Sequence, residues 1–400
     1  MSFDFTTVYD RTGKDAIALD GMGIVPEAPL PPDAGFSPIP MWIADMSFAT
    51  VPSVTAALQK RLEHPLFGYF DMPQAYFDAI ISWQRDRNGV EGLEAQHIGY
   101  EHGVLGGLVS AVAACTEPGA TVLVHSPTYV GFTKSMTAAG FSLELSPLVK
   151  DAAGVYRLDF EDMDRRLTKT GANVAIFCSP HNPTGRVWER EEIAAAMEVY
   201  AKHDCVVISD EIWSDVIHPG HVHVPTQSVS ADARMRTVGL YAPSKSFNIA
   251  GIVGAYHIIY NDDLRRRVLA QSGSSHYNGA NVLSLHALLG AYTDEGKAWL
   301  AELNEVLANN VYRARAFFAE HAPEIEIVKP EATYMIWLDA TAWCQKHGKT
   351  IDDLLQAGWR VGVGWQDGRR FHGPCHIRMN LALPASLLDE ALIRLQEHVL

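Results

Sequence analysis

Lys245 sits in Ser244-Lys245-Ser246-Phe247-Asn248, directly after the apolar run Thr237–Tyr241. A lysine set among small polar residues where a buried strand ends is partly stripped of water, and such an amine can be neutral enough to attack a carbonyl. Asp210 follows Val206-Val207-Ile208-Ser209, so its carboxylate also emerges where a buried strand ends, a costly place to leave an anion without a cationic partner. The two residues are 35 positions apart, one strand-helix-strand interval, so two strands can deliver both to one pocket. Asn182 lies in Asn182-Pro183-Thr184-Gly185, a turn able to aim an amide inward. An amine nucleophile, a buried anion and an amide donor together suit pyridoxal 5′-phosphate, whose aldehyde needs a lysine and whose ring nitrogen needs an acidic partner.

The elements that must position these residues follow from the pattern around them. From about Pro52 to Gly290, short apolar runs alternate with amphipathic segments, the rhythm of parallel strand-helix units. The pattern predicts helices over Leu105–Thr116 and Glu189–His203, and strands over Thr121–Val124, Val174–Cys178, Cys205–Ile208 and Thr237–Tyr241. Each strand runs into a polar cluster: Ser126-Pro127-Thr128-Tyr129, Ser179-Pro180-His181-Asn182-Pro183, Ser209-Asp210-Glu211 and Pro243-Ser244-Lys245. Ligands of open α/β sheets sit beyond the carboxyl ends of the strands, so these clusters mark the expected site. After Gly290 a long helix to about His321 precedes strands near Thr333–Leu338, Val361–Gly364 and His376–Leu381. A terminal helix follows, capped at Ser386 with Asp389 three positions on. The expected fold is α/β, with a large domain over 51–290 built on a mostly parallel central sheet and a smaller α+β domain over 291–400. An N-terminal arm over 1–50 joins the small domain, and its Pro26–Pro40 stretch reads as irregular chain crossing between the two.

Composition narrows the function classes. A chain of 400 residues that is 48% hydrophobic and 20% charged is neither disordered nor collagen-like. Its net charge of −15 repels phosphate backbones and anionic lipids, so no nucleic-acid or membrane partner is expected. Cys115, Cys178, Cys205, Cys344 and Cys375 are odd in number and form no CxxC pair; they read as reduced, mostly buried thiols of a cytoplasmic protein. The N-terminus shows no basic segment followed by an apolar one, and no apolar run reaches bilayer length, so neither standard export nor membrane insertion is expected. The cluster Gly103-Val104-Leu105-Gly106-Gly107 lacks dinucleotide spacing, and no P-loop, GxSxG or HExxH is present. His218, His221 and His223 lie in a Pro/Gly loop without an accompanying acid or cysteine, which reads as a solvated loop rather than a metal site.

Four motifs in order, Ser179-Pro180-His181-Asn182-Pro183-Thr184-Gly185, Ser209-Asp210-Glu211-Ile212, Ser244-Lys245-Ser246-Phe247-Asn248 and His376-Ile377-Arg378-Met379-Asn380, resemble fold-type I pyridoxal-phosphate enzymes of the class I/II aminotransferase superfamily. The resemblance runs from about Met41 to the C-terminus. Within it, Met41-Trp42-Ile43-Ala44-Asp45-Met46, Phe67-Gly68-Tyr69 and the segment Ala242–Gly251 resemble the cystathionine β-lyase, or carbon-sulfur lyase, branch.

The resemblance implies a catalytic set of Lys245, Asp210 and Tyr129. Lys245 bonds the cofactor aldehyde and later moves the substrate proton, Asp210 pairs with the ring nitrogen, and Tyr129 stacks on the ring. Asn182 hydrogen-bonds the ring hydroxyl. The turn Gly103, Val104 and Leu105 opens a helix whose free N–H groups suit the phosphate, joined by Ser244 and Ser246. Tyr69 is implied to reach the phosphate of a neighbouring subunit, which makes the protein a homodimer with shared active sites. Arg378 clamps the α-carboxylate of an amino-acid substrate, with Trp42 and Asn182 in the substrate site.

Three positions depart from the pattern. Trp213, also placed against the cofactor, stands where relatives use tyrosine or histidine and can donate but not accept a hydrogen bond. Ala242 replaces a serine, and Val253 replaces a phosphate-binding arginine. The implied activity is β-elimination from L-cystathionine or a related cysteine S-conjugate, giving thiol, pyruvate and ammonia. An aminotransferase would use the same residues. A regulatory partner of a transcription factor is the non-enzymatic alternative, disfavoured because Lys245, Asp210 and Arg378 are all present.

Overall fold

A computed structural model describes residues 3–400, which divide into two compact units. The larger comprises Thr50–Asn182 and Arg186–Ala301; the smaller comprises the chain up to Ala49, Pro183–Gly185 and Glu302–Leu400.

The larger unit is built on a seven-stranded sheet of β1 (Ile98–Glu101), β2 (Thr121–Ser126), β3 (Ser142–Pro147), β4 (Val174–Cys178), β5 (Val206–Asp210), β6 (Thr237–Tyr241) and β7 (Ala255–Ile258). Their order is β1-β7-β6-β5-β4-β2-β3; β7 runs antiparallel to both neighbours and the remaining pairs are parallel. The α/β class with a mostly parallel sheet is therefore observed. Every residue of β4 and β6 is buried, as expected of parallel strands covered on both faces, and both strands have the bounds their apolar runs predicted. By contrast β5 starts at Val206 and extends through Asp210, so Cys205 lies outside it and Asp210 is its last residue. The helix Val104–Cys115 packs Leu108, Ala111 and Val112 into one apolar cluster with Ile176, Ile208, Val238 and Leu240. Its sequence, apolar but for Ser110, belongs to a helix with no exposed residue.

The smaller unit holds an antiparallel sheet of β8 (Glu326–Ile327), β9 (Met335–Asp339), β10 (Gln366–Asp367) and β11 (His376–Asn380), in the order β8-β9-β11-β10. Its core joins Ile336 and Leu338 of β9 and Ile377 and Met379 of β11 to Leu354, Leu355, Leu388 and Leu395.

Two expectations are corrected here. The terminal helix spans Ala385–His398 with Pro384 as its N-cap; the Pro384 carbonyl accepts from Leu387 and Leu388, which places Ser386 inside the first turn. The Pro26–Pro40 stretch is not wholly irregular, because Ile39–Pro40 pairs in parallel with Val363–Gly364. Ile39 and Met41 supply the N–H groups of that pairing, donating to Gly362 and Gly364, so the missing N–H of Pro40 costs nothing.

Candidate active site

Strand register sets the key ends side by side: Cys178 pairs with Asp210, and Asp210 with Leu240. Asp210 is only 4% exposed, and its Oδ1 accepts the Ile212 N–H at 3.1 Å. Burial pushes its carboxyl up to about 7, against the pull of the Ile212 N–H and the charge of nearby Lys245. Lys245 is half-buried in the turn after β6. Asn182 is buried, and its backbone bonds the Cys178 thiol at the end of β4. Tyr129 is half-buried and directly precedes the helix Val130–Ala138, with Phe132 edge-on to its ring at 5.4 Å. Trp213 is buried in the turn after β5.

Behind Asp210, the fully buried Glu211 carboxylate accepts from Ser209 Oγ at 2.9 Å, the Thr226 N–H at 3.0 Å and Tyr241 Oη at 2.7 Å, and contacts His223 Nε2 at 2.8 Å. This overturns the solvated-loop expectation: His218 and His223 are buried, because a buried carboxylate draws the second of them inward. Among the described residues no group of three or more His, Cys, Asp or Glu is arranged to hold a metal ion. Ser246 is also buried, and its hydroxyl donates at 3.2 Å to Asp215, which accepts from Trp83 Nε1 at 3.1 Å. Ser244 is half-buried beside Lys245.

The Gly103 turn forms a second cluster. Gly103 has φ of 95° and precedes the helix Val104–Cys115, whose N-terminus carries no side-chain cap. A Cβ on Gly103 would stand 3.6 Å from both Tyr277 Oη and Val253 Cγ1. Tyr277 Oη donates to the His102 carbonyl and, at 3.4 Å, to that of Gly103. Gly106 lets the Tyr277 ring approach, since a Cβ there would lie 1.7 Å from Cζ. Sequence reasoning missed Tyr277, which is 174 positions from Gly103; the Gly106-Gly107 pair was the one local signal. Val253 has φ of 49°, a left-handed conformation that a β-branched residue adopts only under constraint. Tyr69 joins neither cluster, lying in the run Leu62–Tyr69 whose residues are all exposed.

In the smaller unit, Arg378 of β11 is buried and Trp42 lies beside it. Arg378 Nη2 donates to the Trp42 carbonyl at 2.9 Å and to Gln366 Oε1 at 2.6 Å, and its guanidinium stands 4.4 Å over the Phe371 ring. The Trp42 indole donates to the Ala18 carbonyl at 2.9 Å. Asn380 holds the Ile43 and Asp45 carbonyls at 2.7 and 2.6 Å, and Tyr334 Oη donates to Ala44 at 3.0 Å. Side chains thus satisfy a buried backbone that has no ladder of its own. Gln366 and Phe371, which fix the guanidinium, were not anticipated.

Residues 39–395 match the profile of the family described as aminotransferase class I and II. The chain belongs to that family. It is 35% identical to the cystathionine beta-lyase PatB of Bacillus subtilis (strain 168), over 85% of this chain and 89% of that protein. It is 30% identical to protein MalY of Escherichia coli (strain K12), over 98% of this chain and 97% of that protein. Among solved structures, cystalysin from Treponema denticola, which contains a pyridoxal 5′-phosphate cofactor, superposes with a TM-score of 0.90 at 29% identity, covering 99% of this chain and 98% of that one. The pyridoxal-phosphate-bound C-S lyase from Staphylococcus hominis gives 0.89 at 28%, covering 99% and 98%.

The residues of the larger unit suit such a cofactor. The buried Asp210 carboxyl, held near neutrality, is matched to a cationic ring nitrogen, and the uncapped helix N-terminus at Gly103 to a phosphate.

Proposed function

We propose that this chain is a pyridoxal 5′-phosphate-dependent carbon-sulfur β-lyase acting on L-cystathionine or a related cysteine S-conjugate, working as a cytoplasmic homodimer. The observation that carries the reading is the buried Asp210 carboxyl at the end of β5 with Lys245 acting on it, within a chain whose relatives include a cystathionine beta-lyase and C-S lyases. In functional terms we assign cofactor binding to a domain over 51–290, served by a small domain over 291–400 and the arm 1–50.

When bound, the cofactor supplies an aldehyde that takes up amines and a ring that accepts electrons from Cα. Lys245 would hold the cofactor through that aldehyde, and its Nζ would serve as the base at the substrate Cα. Asp210 holds a proton on the ring nitrogen, and Asn182 and Trp213 donate toward the ring's polar edge. Tyr129 supplies a flat face, while Gly103, Val104, Leu105 and Ser244 bind the phosphate. Ser246 steadies the Lys245 turn through Asp215. Arg378, oriented by Gln366 and Phe371 next to Trp42, receives the substrate α-carboxylate. A thiolate at Cβ would be the leaving group, and the three-carbon enamine left behind would take up one water to give pyruvate and ammonia. The same residues would serve an aminotransferase, with Lys245 as the group that would move the proton.

Incubation with L-cystathionine and no keto acid tests the reading. We expect homocysteine, pyruvate and ammonia in equal amounts, and borohydride reduction should fix the cofactor to Lys245. Accumulation of pyridoxamine phosphate with ordinary amino acids, without thiol release from any sulfur substrate, would replace the lyase by an aminotransferase.

A further inference from the structure

Cys344 and Cys375 are 31 positions apart, yet their sulfurs stand 3.7 Å from each other. Cys344 lies in the helix Thr341–His347, and Cys375 in the turn that leads directly into β11. The Cys375 carbonyl also accepts the Ala340 N–H at 2.9 Å, so the turn and the start of the helix are already joined through the backbone. Cys344 is buried and Cys375 half-buried; the other three cysteines are buried. A distance of 3.7 Å is ordinary sulfur-sulfur contact, and a disulfide needs about 2.0 Å. The gap is within reach of side-chain rotation aided by the half-exposed turn. A metal site is not the competing use, because among the described residues no third ligating side chain converges on the pair.

We infer that Cys344 and Cys375 form a dithiol that closes reversibly to a disulfide, joining the helix Thr341–His347 to the strand that carries Arg378. With glutathione disulfide as oxidant the step balances. Cys375 Sγ, on the less buried residue of the pair, attacks one glutathione sulfur and releases the other glutathione as a thiolate. Cys344 Sγ then attacks Cys375 Sγ in the mixed disulfide and releases the second glutathione. The two cysteine protons end on the two glutathione thiols, and two electrons pass from the protein to the glutathione pair. Burial and the neighbouring Cys375 thiol push the Cys344 thiol up to about 12. It is thereby a poor first nucleophile, suited to the second, intramolecular attack.

The test equilibrates the holoprotein with glutathione disulfide, unfolds it in the presence of iodoacetamide and maps the peptides by mass. We expect Cys344 and Cys375 to appear as one linked pair lighter by two hydrogens, with Cys115, Cys178 and Cys205 alkylated, and dithiothreitol to restore alkylation at all five. Cys344→Ser should instead accumulate glutathione on Cys375, and Cys375→Ser should take up none; circular dichroism checks that both near-isosteric variants fold. Five alkylated cysteines in the oxidised wild type would overturn the inference. So would glutathione retained on wild-type Cys375 as fully as in Cys344→Ser.

Discussion

At the scale of single residues, Asp210 carries the sharpest consequence, because burial raises its carboxyl from an ordinary 3.8 to about 7. A carboxyl raised in the folded state contributes stability that is fully present below its unfolded value and is lost as pH rises through its folded value. In cofactor-free protein the folded state should therefore lose about 4 kcal/mol between about pH 4 and pH 8. Asp210→Asn, which cannot ionise, should give a flatter profile over that window, and loading the cofactor into wild type should shrink the loss by pairing the carboxylate. Urea unfolding at stepped pH measures all three; parallel profiles for wild type and Asp210→Asn would contradict the assignment. The placement of Asp210 was legible because an acidic residue directly after four strand-forming residues can only emerge at a strand end. Tyr277, Gln366 and Phe371 were not legible, since each earns its contact through the fold rather than through its neighbours in sequence.

At the scale of elements, strands were easier to read than their ends. Burial on both faces turns β4 and β6 into continuous apolar runs that stop where the polar chain begins. Caps depend on backbone angles that several residue types can satisfy, which is why Pro384 rather than Ser386 begins the terminal helix. The loop after β5 was misread for a related reason: histidines look solvated until a buried acid is found for one of them. Glu211 is that acid, tying β5, β6 and the loop together through Ser209, Tyr241, Thr226 and His223. Glu211→Ala leaves these groups buried and without their acceptor, and should cost about 3–5 kcal/mol. Glu211→Gln keeps one acceptor oxygen and should cost less. Denaturant midpoints of the two variants order the losses, and equal midpoints to wild type would show that the network contributes nothing.

At the scale of the whole molecule, composition excluded classes without pointing to a partner. Among the described residues no helix is long and apolar enough to cross a membrane. One surface feature bears on the proposed homodimer: Leu66, Phe67 and Tyr69 lie in a run exposed from Leu62 to Tyr69, held within the chain by Arg61, which donates to the His64 and Leu66 carbonyls and stands over the Phe67 ring. Adjacent large apolar side chains left in water favour association. If the covering partner is a second copy and Tyr69 completes its phosphate site, each active site needs Lys245 from one chain and Tyr69 from the other. Lys245→Ala and Tyr69→Phe homodimers would then both be impaired. A mixed dimer would contain one site with both residues intact, and random pairing of equal amounts should recover roughly one quarter of wild-type activity. Activity measured after co-refolding, with the dimer fraction followed by sedimentation, decides the matter. No recovery despite mixed dimers, full activity of a monomer at low concentration, or near-normal activity of Tyr69→Phe alone would each remove Tyr69 from a shared site.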